Sequence, residues 1–330
     1  VFLKKLILYC SLNLNLFKNS NNTKSMTQVL GIVKEGKLIP EDLWIKFVNG
    51  MENDFDSLET NNERAKRELA ESIVQSVRKR AVPKAGILFS GGVDSSLIAF
   101  ILKKLNCNFT CYTVGIENSD DIAFAQKAAN EYGFSLKHKI LSMDELESAI
   151  KSVIKILNDT DMVKVSVGSV LYAGGKLALA DGNSTLFGGL GSEEIFAGYK
   201  RHEDALQGNN FEALHKECWN GLKGMWKRDI LRDFTIAKSL GLDLRAPFLD
   251  KDLIKAAMNV HPMLKLGKEN KKIILREAAE FVGLKREFAW RKKQAAQYGS
   301  NFVNGIDKLA RKNGFKTKKD YLASMANKSF

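Results

Sequence analysis

Four prolines, four cysteines and four histidines are scattered through 330 residues, and each shortage excludes something. Cys10, Cys107, Cys111 and Cys218 contain no CxxC pair, and the histidines do not cluster, so neither a zinc site nor a dithiol redox site is expected. Thiols so placed read as those of a reducing cytosol, which gives a cytoplasmic protein. No apolar run approaches the ~20 residues of a membrane helix, and no membrane partner is expected. What is present is ordinary globular composition, 45% hydrophobic and 27% charged, enough apolar material for one large or two small domains.

Acidic residues are scarce at one end. From Lys251 to Phe330 there are 19 Lys and Arg against 7 Asp and Glu, so nearly all of the net charge of +13 lies there. Such a surface would attract a polyanion such as tRNA, hold a triphosphate, or simply be a solvated lysine-rich face. At the other end, Lys4-Lys5 and the run LILYCSLNLNLF mimic a signal peptide but carry asparagines and no small-residue cleavage site. Residues 1–25 are read as an overlong, disordered gene start, with Met26 as the native beginning. Residues 26–60 are read as a short extension, and 306–330 as a basic tail.

Between these ends, helix and strand patterns alternate. Ala65, Leu69, Ile73 and Val77 recur every fourth residue, an amphipathic helix over 64–80 that Val82-Pro83 closes. Residues 85–89 read as a buried strand and 95–105 as a helix. The alternation continues with a strand at 109–114, a helix at 122–132 and a strand at 136–141. Helices at 146–157 and 169–179 then precede a strand at 184–187. This is an α/β pattern, predicting a parallel twisted sheet with helices on both faces. Beyond Tyr199 the chain turns mostly helical. The binding crevice is expected at the carboxyl ends of the strands.

The strongest motif is Ser90-Gly91-Gly92-Val93-Asp94-Ser95-Ser96, between a buried strand and a helix. Two glycines let the backbone approach an anion, helix-start N–H groups point at it, and serine hydroxyls add donors. Asp94 would repel phosphate by itself, which implies an intervening Mg²⁺. A Walker loop would need GxxxxGK, which is absent.

This loop resembles the pyrophosphate loop (PP-loop) of the N-type ATP pyrophosphatases, whose fold is adenine nucleotide alpha hydrolase-like. Further motifs are similar to those of the asparagine synthetase family. They are Tyr112-Thr-Val-Gly-Ile-Glu117 with Ser119-Asp120-Asp121; Phe187-Gly-Gly-Leu-Gly-Ser-Glu-Glu-Ile-Phe-Ala-Gly-Tyr199; Leu244-Arg-Ala-Pro-Phe-Leu-Asp250; Lys272-Ile-Ile-Leu-Arg-Glu277; and Trp290-Arg-Lys-Lys293. The resemblance runs in order from about Arg64 to about Phe302, a synthetase domain placed at 61–305.

The resemblance implies roles. Phe89 and Val114 match positions whose backbone meets adenine, and Gly188-Gly189 the segment facing the α-phosphate and ribose. Asp94 and Glu193 match the carboxylates that share Mg²⁺, with glutamate at 193 where aspartate is usual. Lys272 matches a pyrophosphate-side cation, and Lys293 a lysine that stabilises charge during adenylate formation and nitrogen attack. Asp229 and Arg232 match an acid and an arginine near the substrate. Glu194 reads either as a site acid or as a solvated acid at a helix start. Arg245 reads as a substrate contact or as half of an ion pair with Asp250.

The family's activity would make the chain an ATP-dependent amide-forming ligase. It would adenylate a carboxylate, with aspartate the acceptor the family implies, release pyrophosphate and transfer ammonia. The segment ahead of residue 61 is shorter than a glutaminase domain of roughly 150–200 residues. Ammonia is therefore expected from solution or from a separate glutaminase subunit. Leu190 stands where the family carries glutamate, so either another acid, with Asp229 and Asp243 the candidates, takes the proton of the incoming ammonium, or the nucleophile needs no such help. A PP-loop enzyme that modifies tRNA, and a relative that keeps the fold but has lost catalysis, are the competing readings.

Overall fold

The short buried run at 84–88 forms the middle of a single parallel sheet. The computed structural model describes residues 33–34, 37–54, 58–292 and 294–326. The expectations for residues 1–25, the start at Met26, Cys10 and Lys293 lie outside the described residues. The sheet contains β1 (Lys84–Leu88), β2 (Asn108–Gly115), β3 (Leu136–Ile140), β4 (Thr185–Phe187) and β5 (Asp243–Arg245). Their order is β3-β2-β1-β4-β5, with every pairing parallel. Gly86 of β1 pairs with Thr110 on one side and Leu186 on the other, and Ala85 and Ile87 are fully buried.

This order dictates where a ligand can sit. From β1 the chain steps outward through α3 (Val93–Lys104) to β2 and through α4 (Asp120–Tyr132) to β3. It then returns through α5 (Met143–Leu157) and α6 (Met162–Ala180) to β4, on the far side of β1. Right-handed crossovers put helices entered in opposite directions on opposite faces of the sheet. Accordingly α3 and α4 share one core with α2 (Asn62–Lys79) and α12 (Ile273–Val282), while α5 and α6 pack on the other face. The reversal lies between β1 and β4, and a crevice opens at the carboxyl ends of those two strands. The α/β expectation holds, with helices on both faces and a mostly helical C-terminal part.

Five elements differ from the sequence reading. An amphipathic helix, α1 (Glu41–Asn53), buries Trp44, Val48 and Met51 within the stretch taken as an extension. The helix expected from 169 begins at Met162, because the Asp161 carboxylate accepts from the N–H groups of Val163 and Lys164 and so caps it. Strand β5, of only three residues, overlaps the start of the motif at 244–250. The stretch read as a basic tail forms α15 (Phe302–Lys312) and α16 (Lys318–Ala326). Their Ile306, Leu309, Tyr321 and Leu322 are buried against Leu146, Ile150 and Ile154 of α5.

The remaining helices are α7 (Ser192–Ile195), α8 (Lys200–Ala205), α9 (Phe211–Met225), α10 (Leu231–Leu240), α11 (Lys251–Met258), α13 (Arg286–Ala289) and α14 (Ala296–Gly299). Between α9 and α10 the helix widens into a π-turn, Trp226–Ile230. Among the described residues, α6 alone has the length and apolar composition of a membrane span, and half of it is buried inside the protein against the sheet, α5 and α10. Cys107, Cys111 and Cys218 are free thiols.

Candidate active site

The glycine loop leaves β1 at the switch point. Phe89 N–H donates to the Tyr112 carbonyl at 2.9 Å, and the Thr113 hydroxyl donates to the Phe89 carbonyl, so the residue that enters the turn is fixed to β2 on both sides of its main chain. Gly91 has φ of 71°, and a Cβ there would stand 2.9 Å from the Phe124 carbonyl carbon and oxygen. Only glycine fits such a turn. Gly92 caps α3 without any side-chain bond, so the N–H groups of the first turn face the crevice with their anion-attracting dipole. Ser90 and Ser95 line the crevice, and the Ser90 hydroxyl accepts from Gly92 N–H at 3.3 Å. Ser96, expected as a further donor, is fully buried under the loop and does not line the crevice.

Two loops deliver acids to one cation. Asp94 opens α3 and Glu193 opens α7, and the Lys272 ammonium sits between them, paired to Glu193 and 2.8 and 3.0 Å from the Asp94 oxygens. The Ser192 hydroxyl donates to Asp94 at 2.6 Å, and Lys272 donates to Ser192 at 3.0 Å. Lys272 is 1% exposed. Burial alone would lower its pKa, but the two carboxylates outweigh that and raise it. Gly198 makes room for this arrangement, since a Cβ there would fall 1.7 Å from a Glu193 carboxylate oxygen.

Among the described residues no group of three or more His, Cys, Asp or Glu converges as a metal cage. Two carboxylates and a hydroxyl around one positive charge nonetheless fit a hard ion that takes its other ligands from water and phosphate. In this structure the Lys272 ammonium is the positive charge that the two carboxylates share.

The crevice, of about 380 Å³, continues past Leu190 to a second group of charges. Glu194, one of the residues left open by sequence, is 1% exposed and is not solvated. Burial pushes its carboxyl up to about 7, helped by the Asp229 charge and opposed by Arg228. Arg228 bridges Glu194 at 2.5 Å and Asp229 at 2.6 Å. Arg232 in turn pairs with Asp229 at 3.2 Å and Asp233 at 2.6 Å. The Arg201 guanidinium lies 4.2 Å from the Tyr199 ring centroid and 3.6 Å from Glu194. Burial, with Glu194 and Asp229 nearby, raises the Tyr199 hydroxyl pKa. Arg228 and Tyr199 were not singled out by sequence reasoning. The one available signal was the spacing of Arg228, Asp229 and Arg232 on a helix.

A third wall comes from the C-terminal part. Arg291 donates to the Ser90 carbonyl and, at 3.0 Å, to Asp121, with its guanidinium 3.9 Å from the Phe124 ring centroid. It clamps the segment that leads to Lys293 onto the glycine loop and α4. Burial pushes Asp121 up to about 6 against the opposing pull of Arg291.

Of the residues named from sequence, Phe89, Ser90, Gly92, Asp94, Ser95, Val114, Gly188, Gly189, Glu193, Asp229 and Arg232 line this one crevice. Lys272 lies behind the carboxylates, and Gly91 shapes the turn without lining it. Arg245 does not pair with Asp250. It holds Asp243 at 2.6 Å and the Arg80 carbonyl at 2.9 Å, while Asp250 pairs with Arg80 at 2.9 Å. Asp243 is thus engaged in β5, away from the crevice lining.

Residues 68–214 and 207–323 match the family model described as Asparagine synthase. The chain belongs to the asparagine synthase family. A putative asparagine synthetase [glutamine-hydrolyzing] of Methanocaldococcus jannaschii is 33% identical over 295 residues, covering 79% of this chain and 54% of that protein. Asparagine synthetase B [glutamine-hydrolyzing] of Escherichia coli is 30% identical over 275 residues, covering 78% of this chain and 48% of that protein. The chain therefore spans about half the length of these relatives. Among solved structures, NMN synthetase from Francisella tularensis superposes with a TM-score of 0.38 at 10% identity, covering 82% of this chain and 95% of that one.

Proposed function

We propose that the chain is an ATP-dependent amide-forming ligase that adenylates a carboxylate, releases pyrophosphate and passes the acyl group to ammonia. The observation that carries the proposal is the convergence of Asp94 and Glu193, from separate loops, on one cation beside an uncapped helix start at the switch point. A glycine loop of this form suits the β- and γ-phosphates as a leaving group. The Ser90 and Ser95 hydroxyls and the first-turn amides of α3 would receive the pyrophosphate. Asp94 and Glu193 would hold Mg²⁺, whose chemistry is to neutralise charge on that leaving group. Lys272 would add a second positive charge on the same side. Main-chain groups of Phe89 and Val114 would meet adenine, and Gly188-Gly189 the ribose and α-phosphate.

In the first step a carboxylate oxygen bonds to the α-phosphorus while the bond to the bridging oxygen breaks, its electron pair leaving on pyrophosphate. In the second, ammonia nitrogen bonds to the acyl carbon, AMP departs with the electron pair, and the nitrogen loses a proton to a base. Lys293 is proposed to balance charge in both steps. Arg291, which anchors its neighbourhood, keeps that segment against the loop. Ammonia would supply the nitrogen. Asp229 and Arg232 would orient the acceptor, and aspartate is the acceptor that the relatives' names suggest.

The test is a coupled pyrophosphate assay with Mg·ATP, ammonium and a panel of carboxylates. AMP and pyrophosphate should form in equal amounts, dependent on the acid. Release of ADP and phosphate instead would overturn the reading.

A further inference from the structure

The acceptor end of the crevice has one wall without charge. In a crossover that returns to a parallel strand the helix runs against the strands, so the N-terminal half of α6 overhangs the carboxyl edge of the sheet. Val163, Val167 and Val170 lie there at helical spacing and line the crevice. Val163 is 50% exposed, an apolar side chain facing open space. Lys164, beside it, is turned to Asp159 at 2.7 Å. Leu190 lines the crevice from the β4 side.

The arginines at this end are already engaged, three of them by four carboxylates. Arg228 faces Glu194 and Asp229, Arg232 faces Asp229 and Asp233, and Arg201 faces Glu194 and, at 3.0 Å, Glu217. A dicarboxylic amino acid could set its ammonium among these acids, but its second carboxylate would find every arginine engaged by an acid and the remaining wall apolar. It would have to displace one of these acids and leave it unpaired in a buried place. An acceptor with a single carboxylate and a hydrocarbon body meets no such cost and covers the valine wall.

On the ligase reading above, we propose that the acceptor is a monocarboxylic acid with an aliphatic or aromatic body packed on Val163, Val167, Val170 and Leu190, and not a short dicarboxylate. The test compares pyrophosphate release with aspartate and glutamate against butyrate, hexanoate and 3-phenylpropionate. The hydrocarbon acids should exceed the dicarboxylates in kcat/KM by about tenfold or more, the discrimination that a methylene or two in an apolar pocket provides. Val163→Lys, at a half-exposed position that tolerates the change, should shift the ratio toward the dicarboxylates at least tenfold without altering KM for ATP. Preference for aspartate or glutamate in the unsubstituted protein, or an unmoved ratio in Val163→Lys, overturns the proposal and leaves the ligase reading standing. If Mg·ATP binds by calorimetry and no acid of either set elicits pyrophosphate, both fall.

Discussion

Lys272 is the residue on which the site's electrostatics turn. From a buried position it neutralises two carboxylates that would otherwise face each other across a part-buried crevice wall, so replacing it leaves negative charge uncompensated. Breaking a buried pair from one side typically costs about 3–5 kcal/mol. Lys272→Met is expected to lose that order of stability in urea unfolding at pH 7. Because the folded lysine pKa is raised, the pairing contribution is fully present below the unfolded value near 10.5 and is lost only as pH rises through the folded one. The loss in Lys272→Met should accordingly be the same at pH 6 and pH 8. If Asp94 and Glu193 can hold Mg²⁺, millimolar Mg²⁺ should restore part of the variant's stability while barely changing the unsubstituted protein. Equal Mg²⁺ effects on both would count against the metal site. Asp94→Ala should in turn abolish pyrophosphate release, a loss of roughly 100-fold or more if charge on the leaving group is stabilised there. Near-normal turnover at limiting Mg²⁺ would remove Asp94 from the mechanism.

At the scale of elements, the linkage between the glycine loop and the C-terminal segment runs through Arg291 and Asp121. Asp121 is an acid whose folded pKa stands near 6, above its unfolded value of 3.8. The folded state keeps this proton longer than the unfolded chain, so stability from this group falls as pH rises from about 4 to 6 and stays lowered above. Asp121→Asn keeps an acceptor for Arg291 and removes the ionisation. Its stability relative to the unsubstituted protein should improve by on the order of 2–3 kcal/mol between pH 4 and pH 7. A difference independent of pH would show that Arg291 already stabilises the ionised form in full.

Elements also set the limits of what was legible. The strand–Ser-Gly-Gly–helix unit could be read because buried strand, glycine turn and helix periodicity agree over adjacent residues. β5 could not, since three residues carry no period and its partner β4 is more than fifty residues away. The early start of α6 was hidden because Val163, Val165, Val167 and Val170 suit a strand as well as a buried helix, and only the Asp161 cap decides. Glu194, Arg228 and Arg291 became site residues through contacts between distant segments, which no local pattern encodes.

For the molecule as a whole, the question is what the C-terminal positive charge is for. Lys308, Arg311, Lys312 and Lys319 on α15 and α16, with Lys316 between them, are exposed, while Ile306, Leu309, Ala310, Tyr321 and Leu322 on the same two helices are buried. Those apolar residues close the core beneath α5 and α6, and α6 forms a wall of the crevice. The lysines are thus the solvated faces of helices retained for packing, an account that needs no polyanion. Two variants separate the alternatives. Leu322→Ala opens a cavity beside α5 and should cost about 2–5 kcal/mol of stability. It should also lower acid-dependent pyrophosphate release at temperatures where the core is loosened. Reversing Lys312, Lys316 and Lys319 together to glutamate should leave stability and turnover within about twofold, because these side chains touch neither the core nor the crevice. The outcome that favours an RNA acceptor is specific: bulk tRNA stimulates pyrophosphate release, binding weakens steeply with salt, and the triple reversal abolishes both. Binding that weakens with salt but leaves turnover untouched would be only the attraction any basic surface has for a polyanion, and the small-acid reading would stand.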